Sequence, residues 1–317
     1  MSPVGIVESW INVPVVWKAT RHEAFEEFSR FMSENEAARI RHICCPVLPD
    51  TAGTKGIIAT RSSIMSTLKS NWQAWRDLFQ GRADRPLAPL DPDLDYTRLP
   101  PSLAHSLAVF QLGETGGGSI VEQARQSKLN GIDDHYAEAV DLFVSEERRH
   151  ASQLAVCVRI MGGQLLHRNW AARLFVFGRR LIGLRFKVLV LLAAEVVGLC
   201  LYRLIATRLP PCRMRDTVVQ LIGDKHSHMQ FHCAFLERQA TTPFSRALFK
   251  ASWRVLFFCA GFVALIVHRR TLRDMSIELQ DFQDLCAHYR FATEIHVLGL
   301  PKAWPEPDEY HSVSKCA

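Results

Sequence analysis

From about Leu103 onward, apolar residues return every three to four positions, and an alternating strand pattern appears nowhere. That period predicts long helices, and turn residues mark where they end. Asn130-Gly131 stops one helix and Asp133-Asp134 caps the next, which ends at Met161-Gly162-Gly163. Pro210-Pro211 separates two more, and Thr241-Thr242-Pro243 opens a segment running to about His268. The expected fold class is all-α, a four-helix bundle core with additional N-terminal and C-terminal helices. Upstream, "RHEAFEEFSRFMSENEAARIRHICC" and "SSIMSTLKSNWQAWRDLFQ" read as amphipathic helices. "GRADRPLAPLDPDLDYTRLPPS", with five prolines, reads as a linker or wrapping loop. Residues 1–100 are therefore expected to form a helical segment and linker packed on the core. Residues 101–240 form the bundle, and 241–317 the C-terminal helices and tail.

Two stretches are apolar all round. The run between Lys187 and Arg203 is broken at its centre by Glu195, and the run from Val255 to Val267 has 13 residues. A membrane span needs about 20, so both are expected inside the bundle, with no transmembrane segment. The chain is 48% hydrophobic and 22% charged, with a net charge of +6. Its basic residues come as scattered pairs such as Arg148-Arg149 and Arg269-Arg270, without interleaved aromatics, which gives no support to nucleic-acid binding. Nine cysteines without a CxxC fit reduced thiols and a cytoplasmic location.

Within this pattern a few polar residues stand where burial makes them costly. Glu147-x-x-His150 places a carboxylate and an imidazole about 60° apart on one helical face, near enough to share a metal. Glu195 sits in "VLVLLAAEVVGLCLY" with seven uncharged residues on each side. A carboxylate there needs an ion partner or a metal. The turns then act as rulers. Glu147 lies 16 residues after Gly131 and Glu114 lies 17 before it, so an antiparallel hairpin returns both to one height. Glu195 lies 15 before Pro210 and Lys225 lies 15 after it, with His228 three further on. The same hairpin thus occurs twice.

A glutamate on one helix and E-x-x-H on the next, repeated, resembles the ligand pattern of the ferritin-like di-iron carboxylate superfamily. The segments "FQLGETGGG", "FVSEERRH", "LLAAEVVG" and "DKHSHMQFH", within residues 103–240, carry the resemblance. It implies that Glu114, Glu147, His150, Glu195 and His228 fill five of six customary ligand positions, with Lys225 where the sixth, a glutamate, belongs. It further implies oxygen-dependent oxidation of a small organic substrate at a non-haem iron centre of two ions, or one. An electron donor would be required; manganese and a homodimeric assembly are also compatible. The reading from a different class is a non-catalytic helical binding or scaffold protein that has lost one metal.

The stretch "GDKHSHMQFH" leaves two versions of the site open. At 100° per residue, Asp224, His228 and His232 form one stripe, while His226 faces away. Asp224 then replaces the missing glutamate as surrogate ligand, or the Lys225 ammonium occupies the second metal's place, the version we favour. Glycines flank Glu114, which leaves Glu122 as the alternative ligand, although it lies about 10 Å out of register with Glu147. His232 is either a ligand or a core histidine. Tyr202, two turns beyond Glu195 on nearly the same face, lines the pocket or simply packs in the core.

Overall fold

A computed structural model describes residues 71–85, 96–116, 118–171 and 183–299. The helix expected over 21–45, residues 62–70 of the second amphipathic stretch, residues 86–95 of the proline-rich loop and the tail from residue 300 lie outside the described residues. Among those described there are helices and no strands. They are α1 (Trp72–Ala83), α2 (Pro101–Glu114), α3 (Gly118–Arg125), α4 (Asp134–Ile160), α5 (Leu184–Arg208), α6 (Arg213–Gln239), α7 (Pro243–Asp274) and α8 (Leu279–Val297).

The helix ends fall at the turn residues, for local reasons. Asp133 caps α4 by accepting a hydrogen bond from the Tyr136 amide at 2.9 Å. Thr242 and Ser245 form a reciprocal capping box, with Pro243 in the first turn of α7. Gly162, just past the end of α4, has φ 72°, which glycine adopts without steric cost. Its neighbour Gly163 is needed for closeness: a Cβ there would stand 2.8 Å from Ala104 Cβ on α2.

Helices α5 and α6 form one hairpin, and α2 packs along α4 as its counterpart. Helix α1 lies on α4, while α7 and α8 cover α5. One detail departs from the ruler argument, which treats the chain through Glu114 as continuous helix. Helix α2 stops at Glu114, and α3 begins only at Gly118. The glycine-rich stretch breaks the helix directly beside the buried carboxylate.

A second departure concerns the apolar runs. Both α5 and α7 are long and apolar enough, by length and composition, to cross a membrane. In α5 the apolar window is 83% buried, as expected of a core helix. In α7 only 22% of it is buried, so the run from Val255 to Val267 does not lie inside the bundle. Phe249, Trp253, Phe257, Ala264 and His268 turn inward, while Val255, Phe258, Phe262 and Ile266 face out. Apolar residues on both faces of a helix hide this distinction from the sequence.

Candidate metal centre

Four helices deliver charged side chains to one point in the core. Glu114 comes from the last residue of α2, Glu147 and His150 from mid-α4, Glu195 from mid-α5, and Lys225 and His228 from mid-α6. All six are buried. The Lys225 ammonium is at their centre, donating to Glu114 Oε2 at 2.8 Å, Glu147 Oε2 at 3.1 Å and Glu195 Oε1 at 3.1 Å. Glu147 and Glu195 thus reach one nitrogen atom from opposite hairpins. Burial alone would lower the lysine pKa, but the three glutamates outweigh it and hold it well above its ordinary value. Burial likewise opposes ionisation of Glu147, yet the Lys225 charge keeps its carboxyl well below the usual range. Glu114 goes the other way, raised by burial and then by the adjacent Glu147 charge.

The two histidines point the same edge at Glu147. His228 Nδ1 is 3.1 Å from Glu147 Oε1 and 3.7 Å from Glu195 Oε2, and His150 Nδ1 is 3.4 Å from Glu147 Oε1. Among the described residues, neither Nδ1 has a partner in hydrogen-bond geometry, while Glu195 Oε2 stands 3.1 Å from the Lys225 ammonium. The opposite ring nitrogens are engaged. His228 Nε2 is 2.8 Å from Glu146 Oε2, and His150 Nε2 is 3.2 Å from Asp224 Oδ2. In the neutral ring a carboxylate on Nε2 favours the tautomer with its proton there and leaves the Nδ1 lone pair facing inward, and at His228 a metal would displace the Nδ1 proton that the surrounding glutamates otherwise retain. Phe143 and Phe79 set their ring edges against His228, closing that side to water.

Arginines in turn hold those outer carboxylates. Arg149 donates to Glu146 at 2.6 Å, Arg85 to Asp224 at 3.0 Å, and Arg82 stands 3.4 Å from Asp224. Asp224 is therefore engaged by His150 and arginines on the far side of the histidines from Lys225. Its carboxyl, which burial would raise, is brought down to about 2 by His150 and the arginines. Burial would also lower the pKa of His228, but Glu146, Glu147 and Glu195 hold it well above its ordinary value. Asp224→Asn should cost about 2 kcal/mol at neutral pH. The depressed carboxyl contributes stability that is present above its ordinary pKa of 3.8 and lost as pH falls towards 2. Urea unfolding of wild type and variant should therefore converge across that window.

The remaining sequence candidates separate cleanly. Glu122 lies on the exposed face of α3, paired with Gln126, and does not join the cluster. His232 is buried with its ring edge-on to Phe143, and neither of its nitrogens has a hydrogen-bond partner among the described residues. Burial lowers its pKa to about 4, so it stays neutral. Tyr202 packs at a tilt on Phe110 with ring centroids 4.5 Å apart, and burial raises its hydroxyl well above the ordinary value. It also lines a cavity of about 210 Å³, whose inner wall is Glu114, Glu147, Glu195 and Lys225. Phe110, Leu191 and Ala264 supply part of its apolar lining.

Glu146, Arg82, Arg85 and Arg149 complete the site but carried no weight in the sequence pattern. For Glu146 the signal was present: it precedes His150 by four residues, as near to it on the helix face as Glu147 is. Arg82 and Arg85 fall where the linker was expected to begin, and nothing local ties them to α6.

Among the described residues, two buried groups of three could hold a metal ion, Glu147–His150–His228 and Glu146–His150–Asp224, each with ligand atoms within 4.8 Å of one another. The first fits better. Its imidazole edges have no hydrogen-bond partner among the described residues, whereas Glu146 and Asp224 already accept from arginines. Fold and cluster together define an all-helical protein with a buried carboxylate–histidine centre. No family model, curated protein or solved structure matches the chain.

Proposed function

We propose that the chain is a ferritin-like non-haem iron oxidoreductase that holds one metal ion and oxidises a small, largely apolar substrate with O2. The observation that carries this reading is the pair of inward Nδ1 edges on His150 and His228, converging on Glu147 Oε1. Two imidazoles and one carboxylate are a donor set suited to ferrous iron with open positions. When bound, the iron supplies electrons for the reduction of O2. Asp224 and Glu146 orient the imidazoles, and the arginines behind them fix those carboxylates. Lys225 occupies the place of a second cation between Glu147 and Glu195 and keeps Glu147 ionised. The cavity beyond it accommodates a small substrate against Phe110, Leu191 and Tyr202, with the neutral Tyr202 hydroxyl in its wall.

Protein prepared without oxygen and given ferrous iron should consume O2 on mixing, and His228→Ala should reduce that uptake at least a hundredfold. Uptake no faster than that of free ferrous iron would defeat the reading. One observation favours a second reading, a non-catalytic protein with a structural polar core. The ammonium of Lys225 already bridges three glutamates, of which burial favours the neutral form at Glu114, and a protonated His228 would balance the rest. That reading predicts no metal in protein prepared with iron supplied.

A further inference from the structure

The outward face of α7 has no part in the centre described above. Phe244, Leu248, Val255, Phe258, Phe262 and Ile266 are all exposed, Phe244 by 77% and Phe258 by 72%. At 100° per residue they fall within about 80° of arc. Over 22 residue steps they form a stripe roughly 33 Å long. A soluble surface rarely exposes a contiguous apolar strip of that length.

Charge indicates what covers it. Helix α7 contains six Lys and Arg residues and no acidic residue before Asp274, its last position. Arg269, Arg270 and Arg273 follow Ile266 at the end of the stripe; all three are exposed, and all three line one shallow pocket. The half-exposed Trp170 lines a neighbouring hollow with Ile266, Arg269 and Arg270. Apolar length, a terminal cluster of arginines and an adjacent tryptophan are the features of a helix lying at a lipid–water boundary. A second copy of the same face suits it less, because it offers no carboxylate along the stripe to receive the arginines. Spanning is disfavoured by the inward side of α7, where Trp253, Phe257 and His268 are buried against the bundle.

We propose that α7 seats the protein on an anionic lipid surface, with the Phe244–Ile266 stripe in the acyl boundary and Arg269, Arg270 and Arg273 on headgroup phosphates. The seat is independent of the metal centre and can be tested on metal-free protein. Purified full-length chain is floated with vesicles of phosphatidylcholine containing one-third phosphatidylglycerol, and with pure phosphatidylcholine. The protein should rise with the anionic vesicles, and at least tenfold less with neutral ones or in high salt. Phe258→Glu with Phe262→Glu, and separately Arg269→Glu with Arg270→Glu, should each reduce flotation at least tenfold while the helical circular dichroism stays unchanged. Wild-type protein that remains at the bottom with both vesicles overturns the proposal. So does a dimer by light scattering that the phenylalanine variant splits, if vesicles do not bind, since a second copy is then the occupant. Retention of the protein in carbonate-washed cell membranes would also overturn it, because α7 would then be a span.

Discussion

Lys225→Met should lose about 3–5 kcal/mol of stability at neutral pH, the cost of leaving buried carboxylates without their counter-ion. Methionine fills much of the same volume, so the loss reports charge more than packing. Glu147 and Glu195 would face each other with nothing between them, buried in the bundle. In the wild type Glu147 is ionised well below its ordinary pKa. That gives stability which is present above the unfolded value, about 4.3, and lost as pH falls through the folded one. Removing the ammonium raises the folded pKa, so the variant's deficit should be largest near pH 7 and shrink as the carboxylates protonate below about pH 5. A divalent cation should restore part of the loss by taking the nitrogen's place. Chemical unfolding at several pH values, with and without ferrous or manganous ion, checks all three expectations. A variant as stable as wild type at pH 7 would mean that the carboxylates are solvated or already neutral.

How far the site was legible follows from which geometry the sequence encodes. Equal distances from a turn encode equal heights in a hairpin, so Glu114, Glu147, Glu195 and Lys225 could be brought together from Gly131 and Pro210 alone. The side chains converge on Lys225 even though α2 ends at Glu114 and α3 begins at Gly118. Asp224 was legible as a neighbour of His228 but not in its role. The 100° rule places a side chain on a face, whereas the charge it meets there depends on α1, whose Arg82 and Arg85 approach from more than a hundred residues upstream. Glu146 was hidden by its neighbour, since E-x-x-H draws the eye to position 147. The exposed face of α7 was not legible at all. A run that is apolar on every side does not say which side meets protein, and the inward and outward phenylalanines of "VLFFCAGF" are adjacent in sequence.

We propose that Lys225 takes the place of one metal while Glu147, His150 and His228 hold another. His150 and His228 are the donors no neighbour replaces: each Nδ1 faces Glu147, and each Nε2 is occupied by Asp224 or Glu146. Alanine at either position should lower metal content from one ion per chain to almost none while α4 and α6 stay folded, because their contacts with α2 and α5 are mainly apolar. Lys225→Glu restores a fourth carboxylate and should add an ion. The most direct measurement is the metal content per chain, by elemental analysis, of protein prepared without oxygen and with iron supplied. One ion is expected in the wild type and two in Lys225→Glu. Two tightly held ions in the wild type, or none in either protein, would contradict it.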